Sequence, residues 1–324
     1  MTQTEIIEIL PESDWAQHLA DLTRTGLSSE QPWTPPVWFY DELGSDLFDQ
    51  ITRLPEYYPT RIERNILADN VVDILALAQA QHMVELGSGT SEKMHILLRS
   101  GVESGGLREF TALDCSRAPL EVAGETINST YPSLRVRGLV ADFTEHLGHA
   151  GSELPTMIVF LGSTIGNFSA TERAEFFGNI AQHLGPQDSF LIGADLVKSV
   201  DRMTAAYNDN QGITAAFNLN ALSVMNDQLE ANFDIDGFVH RAIWNPVDSR
   251  IEMQLVATRD HATSVQALGV DLDLQPGDHI RTEISTKFAP DAISEELAAV
   301  GLASVGQWTD PAGDFQLTLA RLSV

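Results

Sequence analysis

Only one cysteine, Cys115, occurs in the 324 residues, so no disulfide can close within the chain and its fold rests on packing alone. Basic residues are scarce as well: 19 lysines and arginines stand against 46 aspartates and glutamates, a formal net charge of −27. A surface of that sign repels a phosphate backbone and an anionic bilayer at long range, which argues against nucleic acid and membrane as partners. There is no uninterrupted apolar run of spanning length, no repeat, and no opening segment with a basic flank and an apolar centre. The nine histidines include one close pair, His146 and His149, with no third ligand nearby, so no metal site is expected. These absences predict a soluble, cytoplasmic protein with no obligate protein partner. What is present is a 43% hydrophobic composition and enough length for about two domains.

The most informative run is Met83-Val84-Glu85-Leu86-Gly87-Ser88-Gly89-Thr90-Ser91-Glu92-Lys93. It reads as an apolar strand that ends in two glycines and passes into a helix, a turn that lets backbone approach a nucleotide-like ligand. A dinucleotide fingerprint places a third glycine where this chain has Glu92, so a diphosphate is disfavoured. Glu85 fits a ligand with a cationic amino-acid tail and a ribose, such as S-adenosylmethionine. Gly-x-Gly after a strand also occurs as an ordinary tight turn, and the run by itself leaves that alternative open.

From residue 60 onward strand and helix signals alternate, with strands expected over 82–86, 110–114, 136–141, 156–161 and 189–194. Thr60-Arg61-Ile62-Glu63 and Ser169-Ala170-Thr171-Glu172 both have the capping-box pattern. After Asp195 the rhythm changes to two helical segments, 199–210 and 214–233, and then strand-like runs over 238–288. From Pro290 a helix and two strands follow, the last two joined by the short loop Asp310-Pro311-Ala312-Gly313-Asp314 and therefore antiparallel. The predicted fold is α/β: a class I methyltransferase, Rossmann-like sheet, mostly parallel with an antiparallel C-terminal strand. Residues 60–196 with 287–324 form that domain, and 1–59 with 197–286 form a smaller α+β substrate-binding domain.

In such a sheet the ligand lies across the carboxyl ends of the strands. Asp114 is placed there to accept from ribose hydroxyls; the alternative is a partner to Ser116 at the start of a helix. Asp142 would accept from an adenine amino group with Phe143 against the base; the alternative is a loop acid. The run Gly162-Ser163-Thr164-Ile165-Gly166-Asn167 contains no acid, lysine or cysteine. Uncharged acceptors suit an amine that must arrive with a free lone pair, because a carboxylate favours its protonated form.

The chain resembles the L-histidine Nα-methyltransferases of ergothioneine biosynthesis, a family of histidine-specific S-adenosylmethionine-dependent enzymes. The carrying segments are Tyr40-Asp41-Glu42-Leu43-Gly44-Ser45-Asp46-Leu47-Phe48-Asp49-Gln50, the run on to Arg61, the Glu85 to Gly89 turn, the 162–167 loop and Arg281-Thr282-Glu283-Ile284-Ser285. The resemblance covers nearly the whole chain with no departure at a motif position. It implies that Gly87, Lys93, Asp114, Asp142 and Phe143 bind S-adenosylmethionine. It implies further that Tyr57, Asn167 and Tyr207 hold the amino and carboxylate groups of L-histidine, and that Glu283 and Ser285 hold its imidazole. Strict alternation places Arg281, Glu283, Ser285 and Lys287 on one strand face, where a carboxylate and a hydroxyl side by side can bond both ring nitrogens. Without the resemblance, a solvated face on which Arg281 and Lys287 pair Glu283 would be the simpler reading. Met253 is either core or a wall of the histidine pocket, and Tyr40 either a core ring or a pocket hydroxyl.

The implied reaction is threefold methylation of the histidine α-amine to Nα,Nα,Nα-trimethylhistidine, hercynine. No dedicated charged base is expected; Tyr40 or solvent would take the proton. A dehydrogenase is disfavoured by Glu92. A related enzyme for another aromatic amino acid, or a non-catalytic S-adenosylmethionine-binding regulator, are the remaining alternatives.

Overall fold

The computed structural model describes residues 4–87 and 93–323. In chain order the strands are β1 (Glu5–Glu8), β2 (His82–Leu86), β3 (Glu109–Asp114), β4 (Arg135–Val140), β5 (Thr156–Phe160), β6 (Ser189–Asp195), β7 (Phe238–Asn245), β8 (Arg250–Ala257), β9 (His261–Val265), β10 (Val270–Leu274), β11 (His279–Thr286), β12 (Leu302–Thr309) and β13 (Phe315–Leu322). The helices are α1 (Glu12–Leu27), α2 (Glu42–Arg53), α3 (Pro59–Ala78), α4 (Met94–Glu103), α5 (Arg117–Thr130), α6 (Ala170–His183), α7 (Val200–Ala206), α8 (Ile213–Gln228) and α9 (Ala292–Ala299). They group into two compact units, residues 1–12, 61–196 and 288–324 in the first and 13–60 and 197–287 in the second.

The first unit is built on an eight-stranded sheet in the order β1-β4-β3-β2-β5-β6-β13-β12. Strands β1 to β6 run parallel, and β13 is antiparallel to both β6 and β12. This is the class I methyltransferase sheet. Strands β2, β5 and β6 are buried along their whole length. Their near-continuous apolar runs answer to helices on both faces. Met83, Met157 and Val159 pack with Ile66, Ile74, Leu97 and Leu120 from α3, α4 and α5, while Val84, Ile158 and Phe160 pack with Phe176, Phe177 and Leu297 from α6 and α9. Alternation along each strand thus feeds two separate cores.

Residues 5–8 depart from the expected division, which placed them in the substrate domain: β1 pairs with β4 at the edge of the large sheet. Ile6 fills the space over Gly138, where an added Cβ would lie 2.5 Å from its Cδ1. A four-residue edge strand with glutamate at both ends has too little apolar pattern to announce itself.

The second unit holds an antiparallel three-stranded sheet in the order β11-β8-β7 and the hairpin β9-β10, together with α1, α2, α7 and α8. A β-bulge interrupts β11 between Arg281 and Glu283. Among the described residues no helix is long and apolar enough to cross a membrane.

His82 in β2 is fully buried, its Nδ1 3.1 Å from Thr156 Oγ1 on β5 and its Nε2 2.8 Å from Thr111 Oγ1 on β3. Burial, with a smaller contribution from Arg137, lowers its pKa from 6.5 to about 3. The unfolded chain therefore binds a proton that the folded protein refuses, and stability falls as pH drops from 6.5 toward 3. The expected slope from this one group is about 1.4 kcal/mol per pH unit. His82→Gln should flatten the stability curve by about that slope, measured by urea denaturation between pH 6 and 4.5; parallel curves for the two proteins would contradict this.

Candidate active site

Gly87 follows β2 with φ +70°, a conformation that favours glycine, and its N–H donates to Leu113 O at 2.9 Å. A Cβ at this position would lie 3.9 Å from Phe143 Cε1, so the ring and the glycine face one another. Gly87, Asp114 and Asp142 stand at the carboxyl ends of three neighbouring parallel strands, β2, β3 and β4. Asp114 Oδ1 accepts the Ser116 N–H at 2.9 Å, so the helix-start alternative accounts for one of its oxygens. Asp142 Oδ1 accepts the Thr144 N–H at 2.8 Å and its hydroxyl at 2.7 Å, and Oδ2 has no partner among the described residues. The Phe143 ring packs on Phe160 at 5.4 Å and Phe176 at 6.0 Å. At Cys115, the residue after Asp114, burial first and then the Asp114 carboxylate push the thiol up to about 12, so it stays protonated. Gly89 and Glu92, which carried part of the turn argument, lie outside the described residues.

Glu63 corrects two expectations. The helix α3 begins with Pro59, whose missing N–H costs nothing at a helix start, so Thr60 lies inside the helix and no capping box forms there. Glu63 is instead fully buried; it accepts from Lys93 Nζ, and both its oxygens lie 2.9 Å from the Gly162 nitrogen. The loop after β5 contains no acid of its own, yet a carboxylate is bonded to its first residue. The next residue, Ser163, adopts a left-handed conformation with φ 56°, and its Oγ accepts the Asp195 N–H at 2.9 Å. A 3-10 turn over Thr164–Asn167 follows. Asn167 is half-buried and its side-chain amide has no hydrogen-bond partner among the described residues.

In the second unit Tyr207, Ser285 and Lys287 form a closed triangle of hydrogen bonds, and all three are buried. The Tyr207 and Ser285 hydroxyls are 2.8 Å apart, and Lys287 Nζ donates to them at 2.8 and 2.9 Å respectively. Tyr57 meets the Tyr207 ring edge-on at 6.3 Å. Glu283 pairs in register with Met253 on β8, and Ser285 with Ile251, so Glu283, Ser285 and Met253 share one face. The bulge puts Arg281 opposite Gln254 and hence on the other face, which corrects the strict alternation expected from sequence. Met253 is buried, as core packing and a pocket wall both require.

Tyr207 is itself held from behind. His240 Nε2 lies 2.9 Å from Tyr207 O and its Nδ1 2.8 Å from Asn218 Nδ2, while the Thr282 hydroxyl donates to Asn218 Oδ1 at 2.6 Å. Burial lowers the pKa of His240, in keeping with a neutral ring in this relay.

Tyr40 packs edge-on against Phe48 and Phe217 at 5.8 and 5.6 Å. Desolvation first, then the charges of Glu283 and Tyr207, raise its pKa. Its surface is 51% exposed, which weakens the desolvation part, but the Glu283 carboxylate acts in the same direction. The phenol therefore stays neutral near pH 7 and can donate a hydrogen bond; it is a poor proton acceptor. The segment after it has a clear structural reason: Asp41 Oδ1 accepts the Gly44 N–H and the Asn220 amide, both at 2.7 Å, and a Cβ on Gly44 would lie 1.6 Å from Phe39 O.

Six of the seven expected substrate residues (Tyr40, Tyr57, Tyr207, Met253, Glu283 and Ser285) thus belong to the second unit, and Asn167 belongs to the first with the five expected donor residues. The sequence carries no sign of Asn218 or His240 at this site, and it offers Glu63 only as part of a capping box and Lys287 only as a partner of Glu283 on a solvated face. The strand-end set, a glycine opposite a ring and two carboxylates of which Asp142 keeps an oxygen unpartnered, fits the adenosine of S-adenosylmethionine. Among the described residues no group of three or more His, Cys, Asp or Glu side chains is arranged to hold a metal ion.

The model of a family described as histidine-specific, SAM-dependent methyltransferases matches residues 19–322. The chain is 48% identical over 308 residues to the histidine N-alpha-methyltransferase of Mycolicibacterium smegmatis, covering 94% of this chain and 95% of that one. It is 45% identical over 296 residues to the protein of the same name from Mycobacterium tuberculosis, covering 91% and 92%. To ergothioneine biosynthesis protein 1 of Neurospora crassa it is 30% identical over 285 residues, which cover 85% of this chain and 32% of the fungal one. The chain belongs to the histidine-specific, S-adenosylmethionine-dependent methyltransferase family.

Proposed function

We propose that this methyltransferase converts L-histidine to hercynine by three successive methyl transfers to the α-amine, the first step of ergothioneine biosynthesis. The observation that carries the reading is the gathering of Tyr57, Tyr207, Ser285, Glu283 and Met253 in the second unit, with hydroxyls and a carboxylate suited to an imidazole amino acid. In this reading the first unit binds the donor through Gly87, Lys93, Asp114, Asp142 and Phe143, and the second unit binds the ring. Tyr57, Tyr207 and Asn167 take the amino and carboxylate groups, and Met253 and Tyr40 flank the acceptor.

S-adenosylmethionine supplies a methyl group already activated on a sulfonium, so the protein adds alignment, which can contribute many orders of magnitude. In each transfer a nitrogen–carbon bond forms as the sulfur–carbon bond breaks, and the amine must first have lost a proton. Neutral groups do not favour the protonated form of that amine: an amide such as that of Asn167 and a phenol such as that of Tyr40 stabilise an ammonium less than a carboxylate would. Glu63 is not the proton acceptor, because Lys93 and the Gly162 N–H occupy its oxygens. Solvent takes the proton.

The α-amine of a free amino acid is more basic than a chain terminus, whose pKa is about 8, so turnover should rise with pH between about 7 and 9, by up to about tenfold per unit. A flat profile under saturating substrates would count against this mechanism. The position of methylation is tested with a methyl-labelled donor and NMR of the product, which should show three equivalent methyls on Nα. Label on a ring nitrogen would overturn the reading.

A further inference from the structure

We propose that Glu63 is a positioning residue of the donor site, holding the Lys93 ammonium toward S-adenosylmethionine while cancelling its charge. The inference rests on the reading that Lys93 touches the donor.

The two side chains are unequally exposed: Glu63 has 0% exposure and Lys93 20%, so the pair hides its carboxylate and leaves part of the lysine accessible. Apart from the bond to Glu63, the Lys93 ammonium has no hydrogen-bond partner among the described residues. The donor carries a sulfonium and an ammonium against one carboxylate, a net positive charge. An uncompensated lysine beside it would repel it. Paired with Glu63, the same lysine can donate to the donor's carboxylate and add no net charge.

The surrounding backbone is shaped to admit this carboxylate. A Cβ on Gly193 would lie 2.0 Å from Glu63 Oε1, so glycine at that place in β6 leaves the room this carboxylate occupies. Both Glu63 oxygens reach the Gly162 N–H, and a Cβ on Gly162 would lie 3.5 Å from Lys93 Nζ. One side chain from α3 therefore ties together the residues that follow β2 and β5. These two strands are neighbours at the centre of the sheet, where the chain crosses from one half to the other and where open α/β sheets bind their ligands.

The test is calorimetric titration of the full chain with S-adenosylmethionine in the absence of histidine, so its outcome does not depend on which acceptor is methylated. Glu63→Gln keeps an oxygen for the Gly162 N–H and removes the charge. It should weaken donor binding about tenfold or more, and Lys93→Met should do the same. The double variant should be no weaker than Lys93→Met alone, because Glu63 acts through Lys93. Additive losses, or donor affinity unchanged in either single variant, would overturn the proposal. A brace that served stability alone would lower the melting temperature and leave the affinity of the folded protein intact. Should Glu63→Gln not fold, Gly193→Ala displaces the carboxylate without altering it, and the same loss is expected; unchanged affinity there would be equally contrary. Product analysis of the wild type with histidine tests the functional reading separately.

Discussion

Glu283→Ala is expected to cut kcat/KM for histidine by about 100-fold or more, with affinity for S-adenosylmethionine unchanged. The carboxylate sits on β11 beside Met253 and, past the bulge, on the same face as Ser285. An imidazole N–H bound there without it loses a charge-assisted acceptor. It must then be buried unsatisfied, and that penalty is larger than the net value of the bond. Glu283→Gln should fall between, since a carboxamide still accepts but carries no charge. Unchanged histidine kinetics in Glu283→Ala would remove Glu283 from the pocket.

Lys287→Met should lower kcat/KM for histidine by about tenfold or more, chiefly through KM. Lysine has only hydrogens to give, so both Tyr207 and Ser285 must accept from it. Of the two hydroxyl protons, one lies in the bond between them, and the more acidic phenol is the better donor. That leaves the Ser285 proton directed to an acceptor such as the unprotonated ring nitrogen of a neutral imidazole. Methionine fills the buried space but lets both hydroxyls rotate, and the pocket loses its fixed polarity. Activity on histidine equal to the wild type, in a folded variant, would show that the ammonium does not set the direction of those bonds.

Much of the first unit was legible because its signals are local. Strands β2, β5 and β6 are mostly apolar and buried throughout, and the Ser169 to Glu172 box forms as expected, with Ser169 Oγ accepting the Glu172 N–H and the Glu172 carboxylate accepting the Ser169 N–H. Thr60 to Glu63 has the same pattern and forms no box, because the helix already starts at Pro59 and the core draws the carboxylate in. Nothing in four letters separates these cases. The bulge in β11 was equally silent: its extra residue, Thr282, is bonded to Asn218 and Met253, and no glycine marks it. Lys287 at the end of a strand looks like a solvated residue until the Tyr207 hydroxyl, 80 positions away in sequence, is seen beside it. The family resemblance rested in part on the Asp41 to Gly44 segment, which has structural demands of its own, a helix cap and a glycine against the Phe39 carbonyl.

The proposed reaction brings an activated methyl group to the amine of an imidazole amino acid. Its most direct test is mass spectrometry of the products formed when the purified protein is given S-adenosylmethionine and an equimolar mixture of the common amino acids. Histidine alone should gain mass, ending three methyl groups heavier; histidine unchanged while another amino acid becomes methylated would contradict the account.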